Sequence, residues 1–153
     1  MTQEHTAPPQ IVPTSLRDYL DVMSKSVFQS GMSWKVVNSK WGTTREAFAD
    51  FDPDTVAAFG ESYIDRLAED TRVIRNRRKL RAVANNAARM IELEAEHGSF
   101  GDYLRSHDSF DAIVADLREQ FSFLGETGSY IFLYTVGEPV PPHDEWEASR
   151  KKG

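Results

Sequence analysis

Apolar residues recur at helical spacing in one short segment after another along this chain, and residues that start or stop helices separate the segments. The first segment begins after Ser15 and ends at Gly31. Its apolar line is Leu16, Tyr19, Leu20, Met23 and Val27. No segment alternates apolar and polar residues over the length of a strand. The chain is therefore predicted to be all-α, with a single compact helical domain.

Helix-capping residues precede most of the later segments. The predicted N-caps are Ser33, Thr44, Asp52, Ser99, Ser109 and Thr127. Glycine is common just past the end of a helix, so Gly42 is expected to end the helix that follows Ser33. The proline at position 53 suits a first helical turn, because its missing N–H is not needed there.

We expect three parts along the 153 residues. These are a flexible N-terminal segment over 1–14, the helical domain over 15–136 and a Pro-rich C-terminal tail over 137–153. The tail is expected to run extended, because prolines interrupt helices. It either packs on the body through Trp146 or is loose.

Composition excludes several classes of protein. The chain contains no cysteine, which removes disulfides, thiolate nucleophiles and cysteine-ligated metal sites. The sequence lacks a P-loop and a paired-histidine metal spacing, and we predict neither a cofactor nor a metal. The first 14 residues are polar and Pro-rich, and no later run approaches the ~18 apolar residues of a membrane span. We therefore expect a cytoplasmic protein with no membrane partner.

Positive charge is concentrated in one stretch of an acidic chain. Six of the ten residues over 72–81 are basic and none is acidic, although the formal net charge is -6. Two interpretations are open: a solvated basic face, or a surface that binds a polyanion such as the backbone of DNA. For the second, the candidate phosphate-binding residues are Arg72, Arg75, Asn76, Arg77, Arg78 and Lys79.

The basic run lies across a predicted turn between two helices. A helix over 61–69 is followed by a turn over 70–76 and by the longest helix, over 77–97, with Asn76 as its N-cap. In a helix-hairpin-helix, the turn amides and the N-terminus of the second helix bind one phosphate without reading base sequence. The spacing favours such a motif here, although arginines stand where the usual turn has glycines.

Several ordered motifs resemble the DNA-3-methyladenine glycosylase I family of the helix-hairpin-helix DNA glycosylase superfamily. The segment 28–34 resembles its glutamine-x-glycine-leucine-serine-tryptophan stretch, and 47–53 resembles the helix boundary that follows. The segment 73–77, with Lys79 and the pair Asn86-Ala87, resembles its hairpin and second helix. A C-terminal match is carried by Phe121, Phe123, Leu124, Gly125 and Tyr130. The similarity spans roughly residues 16–143.

The resemblance implies a base-excision repair enzyme that acts on double-stranded DNA with alkylated bases. Such an enzyme extrudes a damaged purine and hydrolyses its N-glycosidic bond. Trp34 matches the family's pocket tryptophan and is the candidate for stacking on the base; the alternative is a core tryptophan. Gln29 and Phe28 are further candidates for contact with the base, and one of them is alternatively a core residue.

The chain departs from the family pattern at two places. Ser26 occupies the position of the family's pocket glutamate, so no catalytic residue is assigned. The family's N-terminal pocket tyrosine and zinc ligands have no counterpart before Leu16. His143 stands where the C-terminal zinc histidine falls, and His5 is the one histidine near the N-terminus, so we interpret His143 as a surface or tail residue.

Three functions remain open from the sequence. The first is a divergent 3-methyladenine DNA glycosylase without the zinc site and the pocket glutamate. The second is a catalytically inactive DNA-binding or protein-interaction relative that keeps the scaffold. The third is a structural domain whose basic turn binds another acidic partner. The retained motif over 29–34 favours the first, because gripping DNA does not require it.

Overall fold

The computed structural model describes residues 8–152, and side chains through residue 150. His5 and residues 1–7, the first half of the predicted N-terminal segment, lie outside these residues. The described chain is helical and contains no strand, which confirms the all-α prediction. Its helices are α1 (Leu16–Gln29), α2 (Trp34–Ala47), α3 (Pro53–Ala57), α4 (Glu61–Leu67), α5 (Arg77–His97), α6 (Phe100–Leu104), α7 (Phe110–Gln120), α8 (Glu126–Thr135) and α9 (His143–Lys152).

The long helix α5 lies at the centre of the fold. It packs against α1, α3, α4 and α6, while α1 also packs against α8. Apolar side chains along α5 are fully buried, as the spacing of the sequence predicts. These are Leu80, Val83, Ala87 and Met90. Helix α5 therefore positions α4 and α1 directly, and α1 in turn positions α8.

The predicted hairpin is present between α4 and α5. Asn76 caps α5, and its side chain accepts a hydrogen bond from the backbone N–H of Lys79 at 3.2 Å. The turn is anchored in the core by Val73, which is 1% exposed. The carboxylate of Asp70 accepts a hydrogen bond from the backbone N–H of Arg72 at 2.9 Å, and this bond stabilises the start of the turn.

Two helix starts differ from the prediction. Helix α2 runs through Gly42 and Thr44, because Trp41 and Ala47 bury one continuous face and the Thr44 hydroxyl donates to Lys40 O within the helix at 2.7 Å. Burial of that face outweighs the cost of about 1 kcal/mol for a glycine inside a helix. Helix α8 begins after Gly125, so the predicted cap Thr127 lies within its first turn.

The C-terminal tail is also different from the extended segment that its prolines predict. Residues His143–Lys152 form α9, and Trp146 is buried against Tyr130 with a ring-centroid distance of 4.4 Å. The helix begins after Pro142, where proline no longer interrupts the hydrogen bonds. The sequence left open whether the tail packs on the body through Trp146 or is loose, and in the structure it packs through Trp146. His143 is exposed, as predicted, and its ring contacts Tyr130 edge-on.

Lys79 joins the hairpin to α1. Its side chain is only 5% exposed, and its Nζ donates to the backbone carbonyl of Phe28 at 3.1 Å and to that of Ser30. Burial lowers the pKa of this ammonium group. The prediction that Lys79 contacts DNA phosphate is wrong, because the ammonium group points into the protein and satisfies carbonyls at the end of α1.

We expect Lys79→Met to lower the free energy of unfolding by about 1–3 kcal/mol, because two carbonyl groups lose a charged donor. Methionine keeps most of the side-chain volume, so the change tests the hydrogen bonds and not the packing. Urea denaturation followed by circular dichroism measures the effect. Arg78→Met on the adjacent, exposed position is the control and should change stability by less than about 0.5 kcal/mol. Equal stability of both variants would contradict the structural role of Lys79.

Candidate base-binding cavity and nucleic-acid interface

A cavity of about 820 Å³ lies between the end of α1, the start of α2 and the start of α8. One wall is formed by Ser26, Gln29, Ser30, Gly31, Met32, Ser33 and Trp34. The other wall is formed by Gly125, Glu126, Thr127, Gly128 and Ile131. Phe123 and Arg150 complete the lining. Its size suits a small aromatic ligand.

The local backbone explains the first wall. Helix α1 ends at Gln29, and Gly31 adopts φ +71°, a left-handed conformation that glycine accepts without strain. The Ser33 side chain then caps α2 by accepting from the backbone N–H of Val36 at 3.4 Å. Trp34, the first residue of α2, is thereby placed on the cavity.

The structure brings together three of the residues that the sequence singled out. Ser26, Gln29 and Trp34 all line the cavity. Their contact with a base stays a prediction. Phe28 does not join them, and its prediction as a base-binding residue is wrong: it is 1% exposed and packs edge-on against Trp41 in the core, at 6.0 Å between ring centroids. Helical spacing turns adjacent residues about 100° apart, so Gln29 and Phe28 face different ways.

Acidic residues of α4 and the turn neutralise part of the basic run. Arg72 pairs with Asp70 at 2.8 Å. Arg77 pairs with Glu61 at 3.0 Å and with Asp65, and Arg81 also pairs with Glu61. These arginines keep exposed side chains but are not isolated charges.

Arg75 and Arg78 are the cations of the run that point to solvent without such pairing. Both are exposed, and neither forms an ion pair with a side chain that the structure describes. The Arg78 guanidinium lies over the Phe123 ring, at 5.5 Å from its centroid. Together with the Asn76-capped start of α5, they form the positive end of the hairpin.

Phe123 links this positive surface to the cavity. It lines the cavity and also a neighbouring groove of about 340 Å³ that includes Arg77, Arg78 and Arg81. Its side chain is 38% exposed, and its backbone has φ 58°, which is costly for a bulky residue. Asn86 on α5 holds the preceding residue, Ser122, by two hydrogen bonds of 3.1 and 2.8 Å.

Phe123, Glu126 and Arg150 are among the lining residues that were not assigned to the site from sequence. Phe123 stood out only as part of a C-terminal motif. Glu126 and Arg150 lie about a hundred residues from Trp34 along the chain, and helical packing alone places them on the same cavity. No residue spacing would have signalled that placement.

The described part of the chain contains no group of three or more histidine, aspartate or glutamate side chains that could hold a metal ion. Among the same residues, no helix is long and apolar enough to cross a membrane.

Comparison with known proteins places these features in a family. A family model described as methyladenine glycosylase matches residues 13–120. The DNA-3-methyladenine glycosylase of Haemophilus influenzae and DNA-3-methyladenine glycosylase 1 of Escherichia coli are each 30% identical over 130 residues, which cover 71% of this chain and 70% of each relative.

Solved structures agree with the sequence matches. The 3-methyladenine DNA glycosylase I of Staphylococcus aureus superposes with a TM-score of 0.75 at 25% identity, over 88% of this chain and 81% of that chain. A further crystal structure of 3-methyladenine DNA glycosylase I gives a TM-score of 0.73 at 28% identity, over 83% and 81%. These matches confirm the predicted resemblance and the helical glycosylase fold, and the chain belongs to the methyladenine glycosylase family.

Proposed function

We propose that this protein is a DNA-3-methyladenine glycosylase, which hydrolyses the N-glycosidic bond of an N3-methylated adenine in duplex DNA. The observation that carries the proposal is the position of the cavity. It holds Trp34 and Gln29, and Phe123 connects it directly to the positive end of the hairpin. A duplex held at Arg75 and Arg78 would present an extruded base beside that opening.

The reaction requires little acid–base help from the protein. Adenine methylated at N3 is a cation within DNA, so it is already a good leaving group. The bond between C1′ and N9 breaks, and its electron pair moves onto the base and neutralises the positive charge. A water oxygen bonds to C1′ and releases a proton. The protein must mainly extrude the base, which costs a few kcal/mol, and hold it in place.

The cavity residues suit a protein that mainly extrudes the base and holds it in place. The indole of Trp34 offers a face for stacking, and stacking on an aromatic side chain is worth about 1–3 kcal/mol per base. A cationic base adds a favourable interaction with that face. Gln29 supplies amide donor and acceptor groups for the edge of a purine. The Ser26 hydroxyl is neutral, so it does not stabilise a cation as a carboxylate would.

One observation favours a second function, a DNA-binding relative without catalysis. Ser26 stands where the resemblance implies a glutamate, and it lines the cavity with only a hydroxyl. Such a protein would bind duplex DNA through the same hairpin and release no base. The two functions therefore differ in one measurable product.

We expect the protein to release free 3-methyladenine from methylated duplex DNA above the spontaneous rate, as measured by chromatography. Trp34→Ala should lower kcat/KM by about tenfold or more, because it removes the stacking surface. Trp34→Phe is the matched control and should retain most activity, since it keeps an aromatic face. Folded wild-type protein that binds DNA but releases no base would support the second function instead.

Duplex binding should weaken as salt rises, because phosphate contacts release counterions. Changing Arg75 and Arg78 together to alanine should reduce the slope of log K against log salt by about 1.8, or about 0.9 for each lost phosphate contact. Fluorescence anisotropy across a salt series measures the slope. Arg17→Ala with Arg105→Ala removes two exposed arginines elsewhere and should leave it nearly unchanged. Equal slopes for the two double variants would remove the hairpin from the DNA interface.

A further inference from the structure

The cavity lining contains one negative and one positive side chain. Of its described residues, Glu126 and Arg150 are the charged ones. Glu126 is the first residue of α8, and Arg150 belongs to α9. The electrostatic preference of this cavity for a ligand therefore depends on how these two groups are arranged.

Glu126 reaches the cavity from the wall that faces Ser26. A Cβ atom built on Gly128, in the same first turn of α8, would lie 3.8 Å from Ser26 Cβ. Helices α1 and α8 are thus in direct contact at Ser26. The α1 wall of the cavity carries the Ser26 hydroxyl, and the α8 wall carries the Glu126 side chain.

The ion pairs that Glu126 forms in this structure are long and exposed to water. Arg150 Nε lies 3.4 Å from one carboxylate oxygen, and Arg118 Nη1 lies 3.5 Å from the other. The Glu126 side chain is 43% exposed, and both arginines are accessible to water. Exposed pairs of this kind contribute about 0–1 kcal/mol, so another cation can replace one of them at little cost.

Arg150 has other contacts that remain when it leaves the carboxylate. Its guanidinium lies over the Trp146 ring at 4.4 Å from the centroid, and its Nη1 is 3.4 Å from Thr127 Oγ1. Release of Glu126 therefore does not leave the guanidinium without partners.

We propose that Glu126 supplies the negative charge that the cavity presents to a cationic base, and that the base displaces Arg150 from this carboxylate. The inference rests on the proposed function and assigns Glu126 as a specificity-determining residue. It acts on binding more than on the chemical step, because the base still carries part of its positive charge in the transition state, so the attraction is largely kept there. An interaction of similar strength in the ground state and the transition state lowers KM and leaves kcat nearly unchanged.

The test compares two variants of one ion pair. In multiple-turnover release of 3-methyladenine from methylated duplex DNA, Glu126→Gln should raise KM about tenfold, the effect of losing one charge-assisted contact. Arg150→Gln should lower KM about threefold, because the base no longer competes with a guanidinium. In both variants kcat should stay within about twofold.

Both expected changes in KM are opposite to those that net charge alone would cause through DNA affinity. Removing a carboxylate reduces repulsion of a polyanion, and removing a guanidinium reduces attraction. Glu147→Gln, an exposed position on α9, is the matched control and should leave KM unchanged or slightly lower. A purely structural ion pair would shift KM in the same direction in both variants and lower both melting temperatures.

The outcomes separate the two proposals. Release by the wild-type protein with an unchanged or lower KM in Glu126→Gln, or with a higher KM in Arg150→Gln, would overturn this inference alone. Absence of release by the folded wild-type protein would overturn the proposed function, and this inference with it.

Discussion

The buried ammonium group of Lys79 connects the two halves of the candidate site. It lies in the first turn of α5, the second helix of the hairpin, and it donates to backbone carbonyls at the end of α1. The carbonyls belong to the chain segment that leads directly to Gly31 and Trp34. One side chain thus links the helix that begins at the positive end of the hairpin to the segment that forms the cavity wall. Because the ammonium is taken out of water, its hydrogen bonds are strong and their geometry is demanding.

Acidic residues shape the positive surface as much as basic ones do. Glu61 and Asp65 on α4 form ion pairs with arginines of α5. Exposed pairs add little stability, but they remove free positive charge from one side of the hairpin. The remaining charge lies at Arg75 and Arg78, and Arg78 contacts Phe123 at the border of the cavity. A polyanion is therefore attracted towards the cavity and not evenly along the basic run.

Local signals predicted a large part of this molecule. The turn over 70–76, the cap at Asn76 and the bounds of α5 follow from capping chemistry and apolar periodicity, and the structure contains them. The cavity wall at Gln29 and Trp34 was indicated by a short motif. The misassigned residues share one cause. Phe28 is adjacent in sequence to Gln29, which lines the cavity, and Lys79 is adjacent to the exposed Arg78. The orientation of each side chain depends on which other helix packs against it. The same holds for α2, where burial of Trp41 and Ala47 carries the helix through Gly42.

The sequence by itself determined the helical class, the hairpin and the family, because each is encoded within a few neighbouring residues or in the order of short motifs. Only the tertiary structure decided which cations of the run are free, since their acidic partners come from α4 and from the turn. It also decided that Glu126 and Arg150 share a cavity with Ser26 and Trp34. Side chains from helices far apart in the chain meet there because α8 packs against α1, and no spacing along a chain records that arrangement.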